Sequence, residues 1–92
     1  MLKIRPTSRF KKDLKTVKKQ PKNKKGLFVL EHTIIPQLQK ELMLEKKYSD
    51  HELVNQNPRK RECHILPDLL LIYRIDYPNL ILYRLGSHSD LF

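Results

Sequence analysis

Three histidines, one aspartate and one arginine in the C-terminal half of this chain are of the types that cleave phosphodiesters by acid–base chemistry. They are His51, His64, Asp68, Arg84 and His88. Histidine suits proton transfer because its unperturbed pKa lies near neutrality, and the planar fork of arginine can bind two phosphate oxygens. Attack on RNA by the ribose 2′-OH needs a base, an acid and a cation beside the phosphate. The residue types indicate such a site, but their spacing alone does not show that they converge.

The same residues also have structural interpretations. Asp68 suits a turn, and Arg84 suits an ion pair with a structural carboxylate. A metal site on His51, His64, Asp68 and His88 is the less favoured alternative, because no tight ligand spacing such as His-x3-His is present. We therefore expect no metal and no other cofactor.

Positive charge is concentrated at the N-terminal end of the chain. The formal net charge is +9, and residues 1–25 carry nine lysines, two arginines and one aspartate. Such a one-sided basic segment attracts polyanions, so nucleic acid is the first candidate partner. A solvated face that only keeps the protein soluble is the alternative. The lysines predicted to contact RNA are Lys11, Lys12, Lys15, Lys18, Lys19 and Lys22.

The elements that must position these side chains begin with a short strand and two helices. Residues 2–5 alternate between apolar and basic, as in a strand. Apolar side chains at helical spacing predict a first helix over residues 8–19, capped by Thr7 or the serine after it. A second apolar stripe predicts a helix that begins near Asn23 and ends or kinks just before Pro36.

The C-terminal third of the chain reads as strands joined by short turns. The predicted strands are residues 61–65, 69–75 and 80–85. Together they predict an antiparallel meander, with His51 in the loop that precedes it. Helices first and strands after predict one α+β domain over residues 1–92. Its two N-terminal helices pack on one face of a small antiparallel sheet, which the N-terminal strand joins.

Alternation along each strand assigns its side chains to the two faces of the sheet. Cys63 is predicted to lie in the core, and His64 on the opposite surface. In the last strand Arg84 is predicted to share a side with Leu80 and Leu82. A guanidinium at the end of that apolar side needs an anion or a carboxylate partner.

The sequence carries no sign of export or membrane insertion. No apolar run approaches the roughly 18 residues of a membrane helix, and the N-terminus lacks the apolar stretch of a signal peptide. Cys63 is the only cysteine, so no internal disulfide can form. We expect a cytoplasmic protein that does not contact a membrane.

Three stretches of the C-terminal half form a recognisable pattern. They are Asp50-His51, residues 61–73, and the ending Tyr83-Arg84-Leu85-Gly86-Ser87-His88-Ser89-Asp90-Leu91-Phe92. The pattern resembles the YafQ-type toxins of the RelE superfamily, and the ending Arg-x-Gly-x-His-x-x-Leu-Phe is its most specific part. The basic N-terminal strand and helix pair match in order, so the resemblance spans nearly the whole chain.

This resemblance implies a microbial RNase-like (RelE) fold and the toxin of a type II toxin–antitoxin pair. It implies an endoribonuclease that cleaves mRNA at the ribosome without a metal. A cognate antitoxin protein is the expected partner, with operator DNA bound only indirectly through the antitoxin complex. The residues that the resemblance assigns to the site are His51, His64, Asp68, Arg84, His88 and Phe92.

The resemblance also suggests what each residue does. His88 is expected to form the acid–base pair with one of the two other histidines. The resemblance does not assign which member of the pair is the acid and which is the base. Asp68 is expected to orient or charge a histidine. Arg84 is expected to hold the scissile phosphate, and Phe92 to pack near the substrate base.

Two features depart from the family pattern. Leu69 stands where many relatives have tryptophan after the turn aspartate, and residues 54–60 replace a Gly-x-Trp-Lys-like loop. Lost aromatic surface changes base stacking, so codon preference cannot be carried over. Two functions compete with the nuclease. One is a non-catalytic RNA- or ribosome-binding domain, and the other is a module that mainly binds an antitoxin and operator DNA.

Overall fold

A five-stranded mixed sheet forms the centre of the computed structural model, which describes all 92 residues. The strands are β1 Lys3–Pro6, β2 His51–Glu52, β3 Arg61–Leu66, β4 Leu69–Asp76 and β5 Asn79–Gly86. Their order across the sheet is β1-β5-β4-β3-β2. The predicted α+β class and the antiparallel meander of β3, β4 and β5 are confirmed. Strand β1 joins the sheet as predicted but pairs parallel to β5, so the sheet is not wholly antiparallel.

Helix α1, Ser8–Lys18, forms where the sequence predicts it. Thr7 caps it, because its hydroxyl accepts a hydrogen bond from the Phe10 N–H at 3.0 Å. The apolar face of the helix buries Phe10 and Val17 against β5, while its lysines remain in solvent. The basic segment is therefore the outer surface of a helix that packs on the sheet.

The second helical stretch was predicted to end or kink just before Pro36; it does not end there, and the helix is instead distorted directly before this proline. The stretch comprises a 3-10 turn at Pro21–Asn23, helix α2 Lys24–Val29, a π-helical segment Leu30–Ile34 and helix α3 Ile35–Gln39. In the π segment the N–H of Ile35 donates to the carbonyl of Leu30, which widens the turn just before Pro36. The wider turn accommodates a residue that lacks an N–H, and the chain stays helical.

One face of the sheet is covered by α1 and the second helical stretch. The other, here called the open face, lacks these helices, although Leu70 and Ile72 on it are still buried. The core contains alternate residues of the central strands, among them Cys63, Leu71 and Tyr73, and each is at most 1% exposed. The residues between them project from the open face. His64, beside Cys63, is among these residues. The prediction that Cys63 lies in the core and His64 on the opposite face of the sheet is therefore confirmed.

Strand β5 contains a β-bulge that overturns the predicted side of Arg84. Tyr73 pairs with Leu82 and Ile72 with Arg84, which leaves Tyr83 as an extra residue. An extra residue reverses the alternation that follows it. Leu82 therefore faces the core, whereas Arg84 lies on the open face of the sheet.

The remaining elements are short. Strand β2 contains His51, which was predicted to lie in a loop, and pairs with β3 at the sheet edge. A C-terminal helix, α4 His88–Leu91, was not predicted. No helix of the chain is both long enough and apolar enough to span a membrane.

The contact of α2 with the β3–β4 turn predicts a steric effect at Gly26. An added Cβ would lie 2.7 Å from Leu69 Cδ2 and 2.8 Å from Leu66 Cδ1. We expect Gly26→Val to lower the free energy of unfolding by about 1–3 kcal/mol through overpacking, measured by urea denaturation. Lys25→Val, at an exposed neighbouring position, controls for the helix propensity of valine. Equal stability of the two variants would contradict this close packing.

Candidate active site

A buried carboxylate, that of Glu62, lies beneath the histidines of the open face. Glu62 is 5% exposed. Its Oε1 lies 3.1 Å from His64 Nε2 and 3.6 Å from His51 Nε2. The sheet dictates this grouping, because His64 lies two residues along β3 on the same face and His51 is the cross-strand partner of Glu62.

His51 is held from both sides of its ring. Its Nδ1 donates to the carbonyl of Ser49 at 2.6 Å, and its Nε2 faces Glu62. The preceding residue, Asp50, is anchored by the Tyr73 hydroxyl at 2.6 Å and by Arg61 Nε at 3.3 Å. Burial, followed by the bond to Asp50, raises the pKa of Tyr73, so its hydroxyl stays a donor. These contacts fix the edge segment that carries the imidazole.

His88 comes to the same face from the C-terminal helix. Ser87 caps α4, since its side chain accepts from the Asp90 N–H and the Asp90 carboxylate accepts from the Ser87 N–H. Asp68 Oδ1 accepts from the backbone N–H of His88 at 3.0 Å and faces its Nδ1 at 3.1 Å. The backbone bond, followed by the side-chain bond, lowers the pKa of Asp68. Both side chains are more than half exposed, so this pair orients the ring more than it stabilises the fold.

The structure thus brings together four of the five predicted catalytic residues. The His64 ring centroid lies 5.5 Å from that of His88 and 6.2 Å from that of His51. Asp68 contributes to this row by contacting the backbone N–H and the ring of His88. Sequence reasoning missed Glu62, although its position two residues before His64 on a strand places both on one face.

The fifth predicted residue, Arg84, lies on the same face but apart from the histidines. Arg84 pairs with Ile72 of β4, and Ile72 pairs with Glu62 of β3. The backbones of Arg84 and Glu62 are therefore two strand spacings, or about 10 Å, apart. Arg84 Nε donates to Asp13 Oδ2 at 2.8 Å and its Nη2 to Asp13 Oδ1 at 3.3 Å. This hydrogen bonding is the main cause that raises the pKa of Arg84. Asp13 also accepts from the Leu85 N–H at 3.0 Å.

The predicted RNA-binding residues are all exposed. The six lysines lie on α1 and just beyond it, and Lys22 lines a small cleft together with Asp68. Phe92, which is 67% exposed, lines a different cleft together with Arg84. The basic surface and the histidine row therefore meet near Asp68.

Three side chains of the site have donors placed to hold a metal ion. Ligand atoms of Glu62, His64 and His88 all lie within 4.8 Å of one another. Two imidazoles and a carboxylate form a donor set that Zn²⁺ or Cu²⁺ accepts. This set shares two histidines with the alternative weighed from the sequence, but it uses Glu62 in place of His51 and Asp68.

The fold and the histidine row define a small α+β protein with three histidines grouped around a carboxyl group on its open sheet face. The sequence profile described as "Bacterial toxin of type II toxin-antitoxin system, YafQ" matches residues 2–92. The chain therefore belongs to the YafQ family of type II toxins, which confirms the resemblance found in the sequence.

Curated relatives and solved structures agree with this assignment. The chain is 33% identical over 89 residues to the mRNA interferase toxin YafQ of Escherichia coli BL21-DE3, covering 97% of this chain and 94% of that protein. A metal-bound toxin from Helicobacter pylori has a TM-score of 0.86 at 42% identity, with both chains covered completely. The E. coli DinJ-YafQ complex has a TM-score of 0.83 at 32% identity, covering 100% of this chain and 99% of that one.

The pairing of Arg84 with Asp13 predicts a stability effect. Asp13→Ala removes the partner of the Arg84 guanidinium and of the Leu85 N–H. The side chains of Arg84 and Asp13 are at most one-quarter exposed, so water replaces the lost contacts poorly. We expect the free energy of unfolding to fall by about 1–3 kcal/mol, measured by thermal and urea denaturation. Glu31→Ala removes a carboxylate that is 78% exposed and serves as the control. If both variants melt alike, Asp13 does not hold Arg84 in solution.

Proposed function

We propose that this chain is an endoribonuclease that cleaves mRNA by metal-independent acid–base chemistry, as the toxin of a toxin–antitoxin pair. The convergence of His51, His64 and His88 around the Glu62 carboxylate carries the proposal. Curated relatives named mRNA interferase toxins support the class of substrate. Attack by the ribose 2′-OH gives a cyclic phosphate and a free 5′-OH. One imidazole takes the 2′ proton and another protonates the departing 5′ oxygen.

The orientation of His88 suits one of these two roles. With its Nδ1 facing the Asp68 carboxylate, the ring presents Nε2 as the nitrogen that exchanges a proton with RNA. His64 and His51 are the candidates for the second role, and Glu62 orients both. Asp68 and Glu62 therefore act as positioning residues on either side of the histidine row.

Arg84 has donors left for a phosphate after it binds Asp13. A guanidinium carries five N–H groups, and the contacts with Asp13 use two of them. The remaining N–H groups are available on the open face, where a bound phosphodiester would gather negative charge in the transition state. Asp13 holds the guanidinium still, which lowers the entropy cost of binding.

The partners follow from the charge distribution and from the relatives. The exposed lysines of α1 suit RNA and the RNA surface of the ribosome. The E. coli DinJ-YafQ toxin-antitoxin complexes support an antitoxin partner for this chain. The proposal adds that this partner neutralises the chain and that operator DNA is contacted only through it. A non-catalytic RNA-binding domain is the second candidate, since the lysines alone would serve it. The histidine row favours the nuclease.

Metal binding and cleavage compete for the same atoms in this proposal. Two structurally similar H. pylori toxins are described as copper-bound and metal-bound. In this chain Glu62, His64 and His88 would hold such an ion, whose coordination occupies the imidazole lone pairs. Because proton transfer needs those lone pairs, we expect chelators to leave cleavage intact.

Removal of His88 tests the nuclease proposal. We expect His88→Ala to lose roughly 10²- to 10⁴-fold in cleavage of ribosome-bound mRNA, the usual effect of one proton-transfer group. Arg84→Ala is expected to lose a comparable factor, and the double variant less than the product of the two. A chelator that removes Zn²⁺ and Cu²⁺ but leaves the Mg²⁺ of the ribosome in place should not change the parental rate.

The control for this experiment is His32→Ala, which removes an exposed histidine of the π segment, away from the sheet. It should cleave at the parental rate, and thermal melting should show that every variant is folded. Folded His88→Ala that cuts at the parental rate would contradict the proposed chemistry and favour the binding domain.

A further inference from the structure

A cleft of about 370 Å³ opens beside Arg84 and is not lined by any histidine. It lies between β5, the loop that precedes β3, and the C-terminal residues. Its apolar surface includes Leu53, Ile72, Tyr83 and Phe92. The resemblance gives roles to Arg84 and Phe92 of this lining, whereas Tyr83, Lys60 and Gln56 have no assigned role.

The bulge in β5 places an aromatic side chain and a cation together at this cleft. Tyr83 and Arg84 both oppose Ile72, and all three line the cleft. The bulge is anchored from outside the strand. The Thr7 hydroxyl donates to the Tyr83 carbonyl at 2.9 Å, and the Thr7 N–H donates to the Leu82 carbonyl at 3.0 Å. Tyr83 is therefore presented on a fixed backbone next to the proposed phosphate-binding guanidinium.

The charged side chains that line the cleft are all cationic, although Arg84 is paired with Asp13 just outside the lining. Arg9, Lys60 and Arg84 line it, and no aspartate or glutamate side chain does. Lys60 Nζ lies 4.8 Å from the centroid of the Tyr83 ring. The ammonium of this flexible side chain covers the ring face in the structure, and a flat ligand that displaced it would meet the same aromatic surface. Aromatic surface surrounded by cations is the combination that binds single-stranded nucleic acid, by stacking and by phosphate contacts.

We propose that this cleft is the subsite for the base of a nucleotide flanking the scissile phosphate, with Tyr83 as its stacking and specificity-determining residue. The inference rests on the proposed function, because Arg84 supplies the phosphate contact that fixes the register of the RNA. The base replaces Lys60 over the Tyr83 ring, and the lysine ammonium turns to the RNA backbone. Phe92, 67% exposed, provides a second apolar wall. Gln56, also in the lining, offers an amide to the base edge.

The test compares Tyr83→Ala, Tyr83→Phe and the control Tyr77→Ala. Tyr77 is 79% exposed at the turn between β4 and β5, at the far end of β5 from the cleft. Binding is measured by NMR titration with an all-adenine hexanucleotide whose riboses are 2′-O-methylated, which blocks the attacking hydroxyl. Cleavage of mRNA gives kcat, KM and the distribution of cut sites in parallel.

We expect Tyr83→Ala to weaken hexanucleotide binding and raise KM by roughly 5- to 150-fold, the range for loss of one base stack. We expect kcat to change little and the preferred cut sites to broaden. Tyr83→Phe should restore binding because it keeps the ring, and Tyr77→Ala should match the parent protein.

The outcomes separate this inference from the proposed function. Parental affinity, KM and cut-site distribution in folded Tyr83→Ala would overturn the subsite, even while His88→Ala abolishes cleavage. Conversely, hexanucleotide binding that depends on Tyr83 in a protein that cuts no RNA would overturn the nuclease and keep the base subsite. Loss of kcat alone in Tyr83→Ala would place Tyr83 in the chemistry instead of in base binding, and would also overturn the proposal.

Discussion

The hydrogen bonding of the buried Glu62 carboxylate is the constraint on which the candidate site depends. A carboxyl group that is 5% exposed needs hydrogen-bond partners close by, and the partners here are imidazoles. The register of β2 on β3 brings His51 to it, and alternation along β3 brings His64. His88 completes the row from outside the sheet, on a short helix that Asp68 ties to the β3–β4 turn. A single buried carboxyl group thus links the sheet edge, the central strands and the histidines of the proposed acid–base chemistry.

The bulge at Tyr83 determines which side chains lie at the Arg84 end of the open face. Without an extra residue, Arg84 would share a face with Leu80 and Leu82, which are at most 2% exposed. The bulge keeps those leucines in the core and turns the guanidinium to the open face, where Asp13 from α1 reaches it. The single acid of the basic N-terminal segment is thereby used in positioning a cation. In the proposed mechanism the histidines and Arg84 act on one phosphodiester, and the guanidinium approaches it from a strand whose backbone lies about 10 Å from that of Glu62.

Much of this architecture follows from local pattern in the sequence. Helical spacing predicted α1, and alternation with turn residues predicted the meander and the faces of Cys63 and His64. The bulge and the passage of the helix through Pro36 were not predictable in this way. The bulge is anchored by Thr7 from another part of the chain, and the helix passes Pro36 through one widened turn that the apolar spacing does not reveal. The prediction that the histidines converge rested on the resemblance to a known family rather than on their spacing in the sequence. Glu62 was missed because a glutamate in a strand is usually exposed. Only the register of β2 on β3 shows that it lies next to the histidines.

Cleavage by Glu62→Gln tests the central role of the buried carboxylate most directly. Glutamine preserves the size of the side chain and an oxygen that accepts from His64, but it removes the charge that orients two imidazoles. The account predicts that cleavage of ribosome-bound mRNA falls on the order of 10²-fold, the effect of misplaced reacting groups. It also predicts retained folding and unchanged binding of the 2′-O-methylated hexanucleotide. Parental cleavage by folded Glu62→Gln would show that the histidines work without the carboxylate and would contradict the account.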